Sequence, residues 1–136
     1  MSVSRFLRTI WNWHCGLGRP KEPERRSHRL LRDWLSVEQR AQYDKQSYFE
    51  VVGCHSGRRY RVQHGTASNI TELDANGRPV LGWCFVPRDN LASGDVMLAQ
   101  KIALEINERA ALAVANRFTV QTSASNNIDA ATRRAY

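Results

Sequence analysis

From Tyr48 to Val86 the chain reads YFEVVGCHSGRRYRVQHGTASNITELDANGRPVLGWCFV, and this stretch decides the fold. Its apolar residues recur at every second position, the period of a pleated strand with one buried face. Phe49 and Val51 share one face, and Tyr48, Glu50 and Val52 share the other. Gly53 to Gly57 is turn-like, because Gly57 takes a positive φ at little cost. Arg58 to Gln63 resumes the alternation, with Tyr60 and Val62 on one side and Arg59, Arg61 and Gln63 on the other. The pattern predicts a half-exposed hairpin with a basic outer face.

Gly65 permits the next turn, and Ala67 to Leu73 is a third strand in which Ile70 and Leu73 fall out of period-two phase. That slip predicts a bulge or a frayed edge. Asp74-Ala75-Asn76-Gly77 is a tight hairpin signal, since Asn-Gly accepts the positive φ such turns need. Pro79 fits the start of a strand, where its missing donor matters least. Val80 to Val86 is apolar on both faces, which predicts a strand covered on each side, with the helices as the covers. The whole stretch therefore predicts a four-stranded antiparallel β-meander.

Working outward, Pro87 to Ser93 reads as loop. Ser93 or Asp95 then caps a helix with Leu98, Ile102, Ile106 and Ala110 at four-residue spacing. Lys101–Glu105 and Glu105–Arg109 form ion pairs one turn apart on its other side. Asn107 is placed to break this helix and cap a second one, Glu108 to Ala115. Before the meander, a helix is expected from Ser27 through Leu35. Ser36 with Gln39 three residues on is a capping-box spacing that starts another, to about Lys45. Leu30, Leu31, Trp34, Leu35, Val37 and Tyr43 would supply their buried side. Earlier still, Ser4 to Cys15 has Phe6, Ile10 and Trp13 at helical spacing beside a row of Leu7, Trp11 and Cys15. Gly16, Gly18 and Pro20 end that helix, and Pro20 to Ser27 reads as a charged linker. The expected fold class is α+β: N-terminal helices, the meander, and a C-terminal helix or kinked helix pair. Residues 1–26 form a Trp-rich arm and linker, residues 27–118 a single domain, and residues 119–136 a tail without a core pattern, expected to be mobile.

A length of 136 residues suits one domain, and 42% hydrophobic residues suffice for a modest core. No apolar run approaches the roughly 18 residues a membrane span needs. Near the N-terminus Asn12 and His14 interrupt any apolar h-region, so no signal peptide is expected and the protein is read as cytoplasmic. Three cysteines, Cys15, Cys54 and Cys84, then suggest thiols rather than a disulfide framework. The net charge of +7 is uneven: +5 over residues 1–35, +2 over 36–66, −2 over 67–116 and +2 over the last twenty. A positive N-terminal half favours anionic partners such as nucleic acid, anionic lipid or an acidic protein face.

Three segments resemble short bacterial and phage proteins of uncharacterised function: Phe49-Glu50-Val51-Val52-Gly53, Gly57-Arg58-Arg59-Tyr60-Arg61-Val62 and Gly94-Asp95-Val96-Met97-Leu98-Ala99-Gln100-Lys101. The resemblance spans about Leu31 to Phe118 and leaves both termini unmatched. It implies that the meander and its following helix form a reusable module. No activity, ligand or catalytic residue comes with it.

Three kinds of chemistry compete for the candidate side chains. His14, Cys15, Cys54, His55, His64 and Cys84 have the right atoms for zinc. They include no Cys-x-x-Cys or His-x-x-x-His pair, so no metal and no cofactor is assigned. Cys54 beside Arg58 and Arg59, with His55 or His64 as base, is the enzyme version. It lacks an orienting third group and an oxyanion-hole loop, so no catalytic residue is assigned and a non-enzymatic role is favoured. Arg58, Arg59 and Arg61 with His55 and His64 form the candidate binding surface, suited to phosphate or stacked bases. Phe6, Ile10, Trp11 and Trp13 form a candidate docking arm, for which a protein groove is favoured over a membrane surface. The leading expectation is a small basic binding or assembly module that contacts a protein partner or other copies of itself through its N-terminal arm and basic hairpin. A nucleic-acid-binding accessory protein is second, and a thiol- or metal-dependent enzyme third.

Overall fold

In the computed structural model, residues 21–120 are described apart from 66 and 67. The helix expected over Ser4 to Cys15 and nearly all of the expected tail lie outside these residues. Strand alternation builds β1 (Tyr48–Val52), β2 (Arg59–Gln63), β3 (Ile70–Leu73) and β4 (Pro79–Cys84), each antiparallel to the next. A fifth strand, β5 (Asn116–Thr119), returns after the last helix and pairs with β4, so the sheet order is simply sequential. The fold is α+β with five strands rather than four. β5 escapes a sequence reading because it has only four residues, three of them polar.

The register places Phe49, Val51, Tyr60, Val62 and Ile70 on one face, which carries the helices and most of the core. Leu31 and Leu35, with Met97, Leu104 and Ala111, complete it. The phase slip in β3 is a register shift between Glu72 and Leu73. The Asn-Gly turn forms as expected: Gly77 sits at φ +77°, and Asp74 Oδ1 accepts from the Asn76 and Arg78 N–H groups.

Helix α1 (Glu22–Trp34) starts five residues before the expected Ser27, so the supposed linker is helical. Pro23 in the first turn, with Glu22 and Glu24 favourable at the positive end of the dipole, explains the early start. Helix α2 (Val37–Gln46) begins at the expected capping box, Ser36 Oγ accepting from Gln39 N–H and Gln39 Oε1 from Ser36 N–H. From α2, Gln39 Nε2 donates to Glu50 C=O and Gln42 Oε1 accepts from Glu50 N–H, both at 2.9 Å, which occupies the outer edge of β1 at its middle residue. Of the six residues expected on the buried side, Leu31 and Leu35 are buried and Tyr43 packs against the core. Leu30, Trp34 and Val37 are exposed.

Helix α3 (Ser93–Val114) contains the expected break: Asn107 leaves the helical region at φ −147°, ψ 68°, and its Oδ1 accepts from Ala110 N–H. Its buried stripe is Met97, Gln100, Leu104, Glu108 and Ala111, not the aliphatic row Leu98–Ile102–Ile106–Ala110; Ile106 is 73% exposed. Two polar residues on the buried stripe disguise it. The expectation of a strand Val80 to Val86 covered on both sides also fails: β4 ends at Cys84, and Val80 and Val86 are exposed. On the sheet face away from the helices, Phe118 of β5 lies over Gly82, where any Cβ would collide with its ring. Where α1 crosses α3, Gly94 meets Ser27 so closely that a Cβ would come within 2.5 Å of the Ser27 carbonyl carbon. No described helix is long and apolar enough to cross a membrane.

Candidate functional site

The break in α3 and the first hairpin turn are built around each other. In an unbroken helix Leu104 C=O would accept from Glu108 N–H. Instead it accepts from Cys54 N–H at 3.1 Å, and Glu108 N–H points to Cys54 Sγ at 3.5 Å. Cys54 thus replaces both halves of the missing helical bond. The Glu108 side chain, 2% exposed, then fills the turn. Its Oε2 accepts from the His55 and Ser56 N–H groups, each at 2.8 Å, and its Oε1 accepts from the Ser56 hydroxyl and, at 2.6 Å, from Tyr60. Gly53 leaves the room, since a Cβ there would collide with the carboxylate. Burial works against the charge, yet the hydroxyls of Ser56 and Tyr60 and the two backbone donors hold the Glu108 pKa down to about 2. Burial and the adjacent carboxylate push the Tyr60 hydroxyl well above its ordinary value.

Cys54, His55 and Glu108 bring three possible metal-ligand atoms within 4.8 Å of one another, and Cys54 Sγ lies 3.2 Å from His55 Nδ1. A carboxylate offers about four lone-pair sites, and four donors already occupy those of Glu108. What remains is one exposed thiol and one imidazole, short of the four converging ligands of a structural zinc site. Nor does Glu108 orient the imidazole as a catalytic third member would, because it binds the His55 backbone.

The candidate basic surface divides into separate places. Arg59 and Arg61, on the face away from the helices, share Glu50 at 2.6 and 3.8 Å, and Arg61 stacks 4.3 Å over the Tyr48 ring. Arg58 pairs with Glu72 at 3.1 Å. These three arginines and two glutamates together carry a formal charge of +1. His55 stands in the β1–β2 turn and His64 at the opposite end of β2, five strand residues away. Phe6, Ile10, Trp11 and Trp13 precede the described residues.

A polar network that the sequence reading missed joins all three helices. The Glu24 carboxylate in α1 accepts from Ser93 Oγ at 2.6 Å and Ser93 N–H at 3.1 Å. The hydroxyl holds the Glu24 pKa below its ordinary value against the effect of burial. His28 bridges Ser93 Oγ, 2.9 Å from Nε2, and the Tyr43 hydroxyl at Nδ1. The Ser93 hydroxyl thus lies within hydrogen-bond distance of both the Glu24 carboxylate and the His28 ring. The network ties α1 and α2 to the start of α3.

An apolar groove of about 270 Å³ lies between α3 and the loop that follows β4, walled by Phe85, Val86, Leu91, Val96, Ala103 and Val114. Among the described residues its one polar lining group is Gln100, 4% exposed, whose Oε1 and Nε2 both lack a hydrogen-bond partner. Val86, Leu91 and Val114 are exposed at its rim. It shares Val86, Pro87, Leu91 and Val96 with a neighbouring concavity of about 340 Å³ that reaches Glu24 and His64. Comparison with protein-family models, curated proteins and solved structures finds no match.

Proposed function

We propose that the protein is a small non-enzymatic binding or assembly module, which contacts a protein partner or other copies of itself through its N-terminal arm. The observation that carries this reading is a division of labour among side chains. The polar groups that resemble chemistry, Glu108, Cys54, Ser93 and His28, are engaged in holding elements together, while an apolar groove stands open. Exposed apolar surface beside polar side chains already committed to one another favours association over catalysis. The nucleic-acid reading is the weaker one, because Glu50 and Glu72 offset most of the charge of Arg58, Arg59 and Arg61.

Size-exclusion chromatography with light scattering, on the full chain and on a chain lacking residues 1–20, tests the proposal. Loss of self-association or of co-purifying protein on deletion is the expected result. An unchanged profile removes the arm from the reading. A high 260/280 nm absorbance ratio that salt abolishes would move the nucleic-acid alternative to first place.

A further inference from the structure

The β1–β2 turn carries half of a metal site. Cys54 and His55 are neighbours in sequence, and on a strand they would face opposite ways. In the turn their side chains meet instead, with Cys54 Sγ 3.2 Å from His55 Nδ1. A tetrahedral zinc ion, with bonds of about 2.3 Å to sulfur and about 2.0 Å to nitrogen, holds two such ligands about 3.5 Å apart. The pair is therefore within about 0.3 Å of a chelating bite, and a small rotation of the exposed imidazole supplies the difference. We infer that two copies of this chain share one zinc ion, each supplying Cys54 Sγ and His55 Nδ1 to a tetrahedron of two sulfurs and two nitrogens. The inference goes beyond the arm reading, since it uses no residue before Lys21.

The backbone of both ligands is already fixed. Cys54 N–H donates to Leu104 C=O at 3.1 Å, and His55 N–H donates to Glu108 Oε2 at 2.8 Å. Ligands anchored in this way lose little freedom when a metal binds. Glu108 N–H donates to Cys54 Sγ at 3.5 Å, the kind of outer hydrogen bond that steadies a metal-bound thiolate. The Glu108 carboxylate lies within 4.8 Å of the other two ligand atoms, and its oxygens are filled by donors. It thus places negative charge beside the cation without entering its coordination. Residues 54–58 are all exposed, so a second turn can approach. Around the concavity beside His55, Glu72 and Glu108 balance Arg58 and Arg109, and two copies meet there without net repulsion. One chain alone would leave two zinc positions to water, whereas structural sites use four protein ligands. A two-fold pair supplies all four, because each copy offers what the other lacks. Each thiol releases its proton as the ion binds, so one Zn²⁺ replaces two H⁺ and the centre, with neutral imidazoles, carries no net charge.

Light scattering on the full chain, kept reduced with a phosphine, reads the pairing directly. Zinc chloride should at least double the mass measured in EDTA, saturating at one zinc per two chains, and EDTA should reverse the change. The midpoint of association should move about tenfold or more in protein concentration between the two conditions. Cobalt(II) in place of zinc should show the intense visible bands of a tetrahedral ion with thiolate charge transfer. His55→Ala and Cys54→Ser should each abolish the zinc-dependent step, with circular dichroism confirming that both variants fold. The serine hydroxyl can still accept from Glu108 N–H, so the turn keeps that bond. Cys15, Cys84 and His14 remain in both variants, which separates any zinc they bind from zinc held by the turn. One zinc per chain without a rise in mass would overturn the inference, as would zinc-driven pairing that survives His55→Ala. Equal association in zinc and in EDTA would overturn it too while leaving the arm reading in place. Deletion of residues 1–20, measured in EDTA, tests the arm by itself, so the two readings fail separately.

Discussion

Glu108 keeps its charge in the interior with hydrogen-bond donors alone among the described residues, four of them on two oxygens. Its pKa of about 2 in the fold lies below the ordinary 4.5. The linked stability is therefore fully present above about pH 4.5 and is lost as the pH falls through that window toward 2. Glu108→Gln should cost about 2–3 kcal/mol at neutral pH, because it weakens charge-assisted bonds and leaves donors poorly paired. It should also flatten the acid sensitivity of the protein. Urea denaturation of both proteins at pH 7 and pH 3 measures this, and an equal acid-induced loss in the variant would refute it. The same residue shows what a lone sequence hides. Glu108 resembles any surface glutamate at the start of a helix, and its partners, Gly53, Ser56 and Tyr60, lie about fifty positions earlier.

At the level of elements, what was legible followed from local rules. The faces of β1 and β2 came from strict alternation, the β3 bulge from the phase of Ile70 and Leu73, and the start of α2 from Ser36 and Gln39. The α3 break came from Asn107. What was not legible depended on tertiary pairing. The buried stripe of α3 includes Gln100 and Glu108, so hydrophobic spacing pointed to the wrong face. Residues proposed as one basic site lie close in sequence, but strand geometry parts Arg58 from Arg59 and Arg61, and Glu50 and Glu72 offset most of their charge. The crossing of α1 and α3 was equally hidden, since Gly94 reads as a loop-end glycine until Ser27 is found against it. Gly94→Ala should destabilise the protein by about 1–3 kcal/mol, because the obstacle is main chain and cannot rotate away. A denaturant midpoint unchanged from wild type would contradict that packing. Gly57→Ala serves as the comparison: its Cβ meets nothing within 4 Å, and it bears only the cost of a positive φ.

For the molecule as a whole, the order of the sheet matters as much as its faces. Each strand is joined to its neighbour, and among the described residues only β1 and β5 have a side without a strand. One of those sides is blocked at its middle, because Gln39 and Gln42 of α2 take the main-chain groups of Glu50 as another strand would. Towards strand addition the sheet is therefore monovalent. Two molecules can join β5 to β5, but neither has a second edge with which to recruit a third, so growth by sheet extension terminates at a pair. Concentration series by light scattering should accordingly show any strand-mediated association levelling off at two chains. Fibres with cross-β diffraction, formed without unfolding, would mean that the glutamines do not hold that edge shut.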